Sequence, residues 1–286
     1  MVSFNSLFIR VKNTINNGGL SENIFFLHIP KCGGRSIETA IKSCYLTLDV
    51  RKDRHLVRHD SQASAKVGDI LFGLNYTYGD PNDLQEVKFR AEQLAYYMGL
   101  KNVKYISGHL PFNDKVYKEF NKRFKYITIL RDPVKRWISH YFYVRHRQSD
   151  RWIIEEDFMS YLKSDQAKSI GHDYVKYLGG AREHSDYASK DAIESAIANL
   201  HKFEIVGFLE YLDHFVESFR ECFGICLKIQ KKNQSPVSNS FRNRLVTEEI
   251  EEIIQDICKP DIEVYKYAKE NFLYEIGVSE MVRSLT

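Results

Sequence analysis

No run of this chain approaches the ~20 consecutive apolar residues of a membrane-spanning helix. The leading MVSFNSLFIRVKNTINNGG holds no hydrophobic block of signal-peptide length either. Cysteine is scarce, with five among 286 residues, at 32, 44, 222, 226 and 258. An odd count without a C-x-x-C pair argues against a disulfide framework or a zinc site and fits a reducing cytoplasm. Cys222 and Cys226 read as small core residues on or near a helix end. Charge of one sign is also lacking. Lys and Arg number 41 against 38 Asp and Glu, so the formal net charge is only +3, too weak to mark a nucleic-acid partner. There is no internal repeat, no low-complexity tract and no cluster with metal-ligand spacing, so no metal is expected. What remains is an ordinary soluble composition, long enough for one large domain with a sizeable core.

The most informative stretch is Ile24 to Ile37, IFFLHIPKCGGRSI. Ile24-Phe25-Phe26-Leu27 suits one fully buried strand. After Pro30 come Lys31, Gly33 and Gly34, and then Ser36-Ile37-Glu38-Thr39-Ala40-Ile41, a helix start. A strand, a glycine turn and a helix N-terminus aim backbone N–H groups and the positive end of the helix dipole at one spot. The glycines admit close backbone approach, and a lysine stands beside them. The pattern reads as a phosphate or sulfate cradle. A nucleotide triphosphatase loop, G-x-x-x-x-G-K-[ST], places its lysine after the last glycine. Here Lys31 precedes both, which argues against that class.

Residues 1–22 form a lead-in closing on Asn16-Asn17-Gly18-Gly19, and 23–286 one domain. Within it, 46–103 is an irregular insertion on the acceptor side. Its basic run Arg51 to His59 reads as a solvated loop, and Asp83 to Met98 carries apolar residues at helical spacing. Strands are predicted at Val103–Ser107, Tyr126–Leu130 and Glu204–Phe208. Helices are predicted after Pro133, near 155–163, at 190–201 and 212–223, after the cap Thr247, and from about 260 to 272. Trp137, Tyr141 and Phe142 read as core. Strand–helix alternation implies a three-layer α/β fold, a mostly parallel sheet flanked by helices. Such sheets bind ligands at the carboxyl ends of their strands. The cradle, Gly108-His109 and Arg131 all stand at such ends.

Four motifs carry a family resemblance. Pro30-Lys31-Cys32-Gly33-Gly34-Arg35-Ser36 resembles the 5′-phosphosulfate loop of sulfotransferases that use 3′-phosphoadenosine 5′-phosphosulfate. Leu130 to Tyr141 resembles the family's 3′-phosphate motif, in which an arginine and a helix serine clasp the ribose 3′-phosphate. Ser107-Gly108-His109-Leu110-Pro111-Phe112 is similar to the segment of the catalytic histidine in the heparan sulfate 2-O-sulfotransferase branch. Lys232-Asn233-Gln234-Ser235 resembles the loop that closes over the nucleotide.

The resemblance implies a P-loop-like sulfotransferase fold and an O-sulfotransferase. Its donor would be held by Lys31, Cys32, Gly33, Gly34, Arg35, Ser36, Arg131 and Ser139. The chemistry agrees. Charge grows on the oxygen that leaves with the nucleotide, and Lys31 with the loop amides would meet it. A neutral histidine near working pH suits deprotonation of the acceptor hydroxyl, and His109 is the candidate. His55, His59, Asp60 and His140 are alternatives. Cys32 and Arg35 depart from the hydroxyl residues common in this loop. A thiol beside a lysine and a helix N-terminus is expected to have a lowered pKa and to oxidise readily. The acceptor class spans saccharides, glycolipids and hydroxylated natural products, with Tyr76, Tyr78, Tyr96 and Tyr97 suited to a flat one. Two other readings stand beside this: an ATP-using kinase-like P-loop enzyme, and a non-catalytic module binding 3′,5′-adenosine bisphosphate or an anionic glycan.

Overall fold

A computed structural model describes residues 19–45, 55–73, 83–146, 154, 156–181, 186–230 and 244–273. Its centre is a five-stranded sheet in the order β2-β3-β1-β4-β5. The strands are β1 (Asn23–Leu27), β2 (Leu56–Arg58), β3 (Tyr105–Gly108), β4 (Phe124–Leu130) and β5 (Ile205–Phe208), and every pairing among them is parallel. Phe25, Phe26 and Leu27 of β1, Ile127 and Leu130 of β4, and Ile106 of β3 are fully buried. Helices on both faces explain why these strands read as continuous apolar runs rather than alternating ones.

β1 lies between β3 and β4, with Leu27 opposite both Gly108 and Thr128. The chain runs to one side of β1 and then returns to the other, which makes its carboxyl end a switch point. That register sets the loops after Leu27, Gly108 and Leu130 next to one another. Two helices leave directly from this end, α1 (Gly34–Ser43) after β1 and α5 (Pro133–Arg145) after β4. Between β2 and β3 come α2 (Ser61–Phe72) and α3 (Asp83–Gly99), and after β3 comes α4 (Asp114–Phe120), whose Tyr117 packs on Tyr126 of β4 at 5.2 Å. The rest of the helical layer is α6 (Phe158–Leu162), α7 (Asp165–Gly171), α8 (Asp173–Gly179), α9 (Lys190–Leu200), α10 (Leu212–Phe223), α11 (Glu248–Ile257) and α12 (Lys259–Ala268).

Trp137, Tyr141 and Phe142 are core, packed with Phe158, Tyr161 and Ile254 in a second apolar cluster beside the sheet. Two expectations fail. The basic run is not a solvated loop over its last residues, because Leu56–Arg58 pairs with β3 as the sheet's edge strand and His59 is buried. Cys222 and Cys226 are exposed rather than core. The buried face of α10 is taken by Phe215 and Phe219, and after it Ile225 and Leu227 turn inward around Cys226. Residues 51–54, Tyr76 and Tyr78, and Lys232 to Ser235 lie outside the described residues.

Candidate active site

Between β1 and α1 the backbone turns through Lys31 at φ 67° and Gly33 at φ 75°. Lysine in the left-handed region is strained by about 1–2 kcal/mol and persists only where its surroundings dictate it. One such constraint is visible. Arg131 Nη1 donates to the Lys31 carbonyl at 3.1 Å, tying the β1 loop to the loop after β4. The two glycines serve different needs. Gly33 supplies the left-handed turn, whereas a Cβ on Gly34 would sit 2.1 Å from the His28 ring.

The start of α1 is open to an anion. Asp60, Asn113, Asp132, Ser189 and Thr247 each cap a helix through a side-chain oxygen. Gly33 caps α1 without one, and the first turn of α1 holds no acidic residue. The Ser36 N–H turns back onto the Gly33 carbonyl at 3.2 Å, so the donors of the turn are the amides before it. Positive charge surrounds them: Lys31 in the turn, Arg35 exposed on the first helical turn, and half-buried Arg131. The Lys31 ammonium rests 3.7 Å above the centre of the Tyr143 ring on α5. Ser139, half-buried, lies one turn earlier on the same helix.

Cys32 overturns the expectation of a reactive thiol. It is fully buried, and that burial pushes its pKa up to about 12. Desolvation of a thiolate outweighs the nearby cations. Its Sγ lies 3.6 Å from the hydroxyl of Tyr174 on α8. That hydroxyl accepts the Arg131 N–H at 2.8 Å and donates to the Arg131 carbonyl. Behind it stands a buried charge cluster. Arg136 donates to Asp173 at 2.6 Å and to Asp261 at 3.3 Å, all three side chains being inaccessible. Asp261 also accepts the Tyr174 and Val175 amides at 2.9 and 3.2 Å.

On the other flank of β1, His109 Nδ1 lies 2.6 Å from the His28 carbonyl. A carbonyl only accepts, so Nδ1 carries the proton and the neutral ring presents Nε2 as its basic atom. The His28 and His109 rings pack at 4.7 Å. Burial holds His109 well below the ordinary histidine range and His28 at about 4. Both rings are neutral near pH 7.

The alternative bases are placed as follows. His55 precedes β2, at the opposite end of the sheet, and bonds the Asn102 carbonyl. His59 is buried with Nε2 on Gln93 at 2.9 Å, its Cβ packed where a side chain on Gly108 would go. Asp60 caps α2. His140 is buried within α5. The structure therefore brings the cradle, Arg131 and His109 to one end of the sheet and sets His55 apart.

The sulfotransferase family model matches residues 21–268, from just before β1 to the end of α12. This chain belongs to the sulfotransferase family. No curated protein matches it. The match encloses all three strand ends of the candidate site. Sequence reasoning missed His28, Tyr174, Arg136 and Tyr143. His28 was within reach, since it stands one residue beyond β1 inside the motif already singled out. Tyr174 sits 43 residues from the backbone it holds and has no local signature.

Proposed function

We propose that this sulfotransferase moves a sulfuryl group from 3′-phosphoadenosine 5′-phosphosulfate to an acceptor hydroxyl, with His109 as general base. The observation that carries the reading is the juxtaposition across β1. An uncapped helix start with Lys31 and Arg131 lies on one flank, and a histidine whose Nδ1 is committed to the His28 carbonyl lies on the other. The donor set fits a nucleotide with phosphate at both ends of its ribose. The amides of Cys32, Gly33, Gly34 and Arg35, with the Ser36 hydroxyl, serve the 5′ end, and Arg131 with Ser139 serves the 3′-phosphate. When bound, the nucleotide supplies the activated sulfuryl group and a phosphate leaving group.

His109 Nε2 takes the acceptor's hydroxyl proton as that oxygen bonds to sulfur. Lys31, swung from its rest over Tyr143, and the α1 amides meet the charge that grows on the departing phosphate oxygen. A histidine with a depressed pKa is always in its basic form at neutral pH but is a weak base. Negative charge brought into the cradle raises its pKa and strengthens it. The acceptor is a saccharide, a glycolipid or a hydroxylated natural product rather than a nucleic acid. The composition favours action in the cytoplasm.

Calorimetric titration with 3′,5′-adenosine bisphosphate, run beside ATP with magnesium, tests the reading. Tight binding of the bisphosphate, lost in Arg131→Ala, supports it. Binding of ATP alone overturns the donor assignment and every role that follows from it.

A further inference from the structure

We infer that the Tyr174 hydroxyl is a positioning group that sets Arg131 for the nucleotide's 3′-phosphate. The inference rests on the donor assignment proposed above but concerns a residue that touches neither nucleotide nor acceptor. Three contacts meet at one oxygen. The hydroxyl accepts the Arg131 N–H at 2.8 Å, donates its only proton to the Arg131 carbonyl, and lies 3.6 Å from Cys32 Sγ. With its proton committed to the carbonyl, the hydroxyl can only accept in the third contact, where the Cys32 thiol also has the Pro30 carbonyl within reach at 3.8 Å. Arg131 then reaches across to the Lys31 carbonyl at 3.1 Å. A closed ring of contacts thus joins Lys31, Cys32, Tyr174 and Arg131.

Tyr174 is itself held on two sides. Its ring is fully buried, and its amide donates to Asp261, whose carboxylate also accepts the Val175 amide and faces Arg136. Both backbone polar groups of Arg131 are therefore satisfied by a buried side chain whose ring lies under the Arg136 guanidinium, 5.3 Å from its centre. Buried donors and acceptors are costly to leave unmade, so the hydroxyl fixes the Arg131 backbone and with it the root of the guanidinium. A group positioned in this way acts on recognition of the 3′-phosphate and not on the adenosine common to all adenine nucleotides.

Tyr174→Phe removes the oxygen and keeps the ring. The test measures its affinity for 3′,5′-adenosine bisphosphate and for adenosine 5′-monophosphate, which lacks only the 3′-phosphate. The expected result is a fall of about tenfold for the bisphosphate, the scale of one unmade buried hydrogen bond, with less than a twofold change for the monophosphate. Equal losses for both ligands would reduce Tyr174 to a general structural part, and no loss for either would remove it from recognition. Either outcome overturns the inference. Should Tyr174→Phe fail to fold, Asp261→Asn keeps one acceptor for the Tyr174 amide while loosening its anchor. The same selective loss, smaller, is expected there, and an unselective loss or none overturns the inference. If the unaltered protein does not bind the bisphosphate, the donor assignment has failed instead, so the two failures are distinct.

Discussion

On the β4 side of β1 the strand ends are held by a buried ion cluster, whereas on the β3 side they are held by neutral rings. Toward β4, Arg136, Asp173 and Asp261 form an inaccessible cluster that anchors Tyr174, which in turn pins the Arg131 backbone. Toward β3, the His28 and His109 rings pack on each other, His109 Nδ1 rests on the His28 carbonyl, and His59 bonds Gln93. Ion pairs flank these rings: Arg90 pairs with Glu86 and also donates to the Tyr177 hydroxyl at 3.2 Å, and Arg58 of β2 pairs with Glu38 at 3.4 Å. The difference follows from the work proposed for each flank. Recognising a fixed anion needs an immovable cation. A general base needs an imidazole that stays uncharged and can receive a proton.

The largest effect expected is on the ring side. His109→Ala should lower kcat by roughly 10²- to 10⁴-fold, the range for a positioned general base, while bisphosphate affinity stays within about twofold. Kinetics beside calorimetry check this, and unchanged kcat would move the base elsewhere, with His59 next in line. On the charge side, Arg136→Ala removes the cation that Asp261 faces and leaves Asp173 with Lys176 at 3.8 Å, and should cost about 3–5 kcal/mol of stability. Denaturant unfolding measures it, and a loss under about 1 kcal/mol would mean that the ion cluster is not what holds this flank. Gly34→Ala probes the seam between the flanks. Its new Cβ would fall 2.1 Å from the His28 ring, and forcing that ring aside should cost about 1–3 kcal/mol and lower kcat, since His28 carries the carbonyl that orients His109.

How much of this was legible depended on whether the signal was local. Pro30 to Gly34 and Arg131-Asp132-Pro133 announce themselves, because turn glycines, an N-cap aspartate and a first-turn proline act within a few residues. β1 and β4 stand out as unbroken apolar runs, and α10 begins and ends where the periodicity places it, at Leu212 and Phe223. β2 escaped because it is three residues long, Leu-Val-Arg, at the sheet's edge and inside a basic run. Cys32 misled for a related reason. Its sequence neighbours are a lysine and a helix start, which lower a thiol's pKa, but its neighbours in space are Tyr174 and the core. Tyr174 and Asp261 act on β4's end from 43 and 130 residues away in the chain, counting from Arg131, and no pattern in their own surroundings marks them.

Acid is the mildest way to separate the two flanks. Burial lowers His28 and His59 to about 4 and His109 well below the ordinary value, and it does the same to His140 on α5, across the seam. Each takes up a proton more readily when unfolded than folded. Their contribution is therefore complete above about pH 6.5 and is lost as pH falls from there toward 4. Between pH 7 and pH 6 one such histidine costs about 0.7 kcal/mol. The charge side opposes this. Burial raises Asp261 to about 7 in spite of Arg136 beside it, so the folded state gains its proton first and is favoured as pH falls from about 7. Four histidines outnumber one carboxyl, and net stability should decline below pH 6.5. His59→Gln should make that decline shallower by about one proton's slope. A decline equally steep in His59→Gln, or stability that rises between pH 6.5 and 5, would show that the rings do not govern the β3 flank.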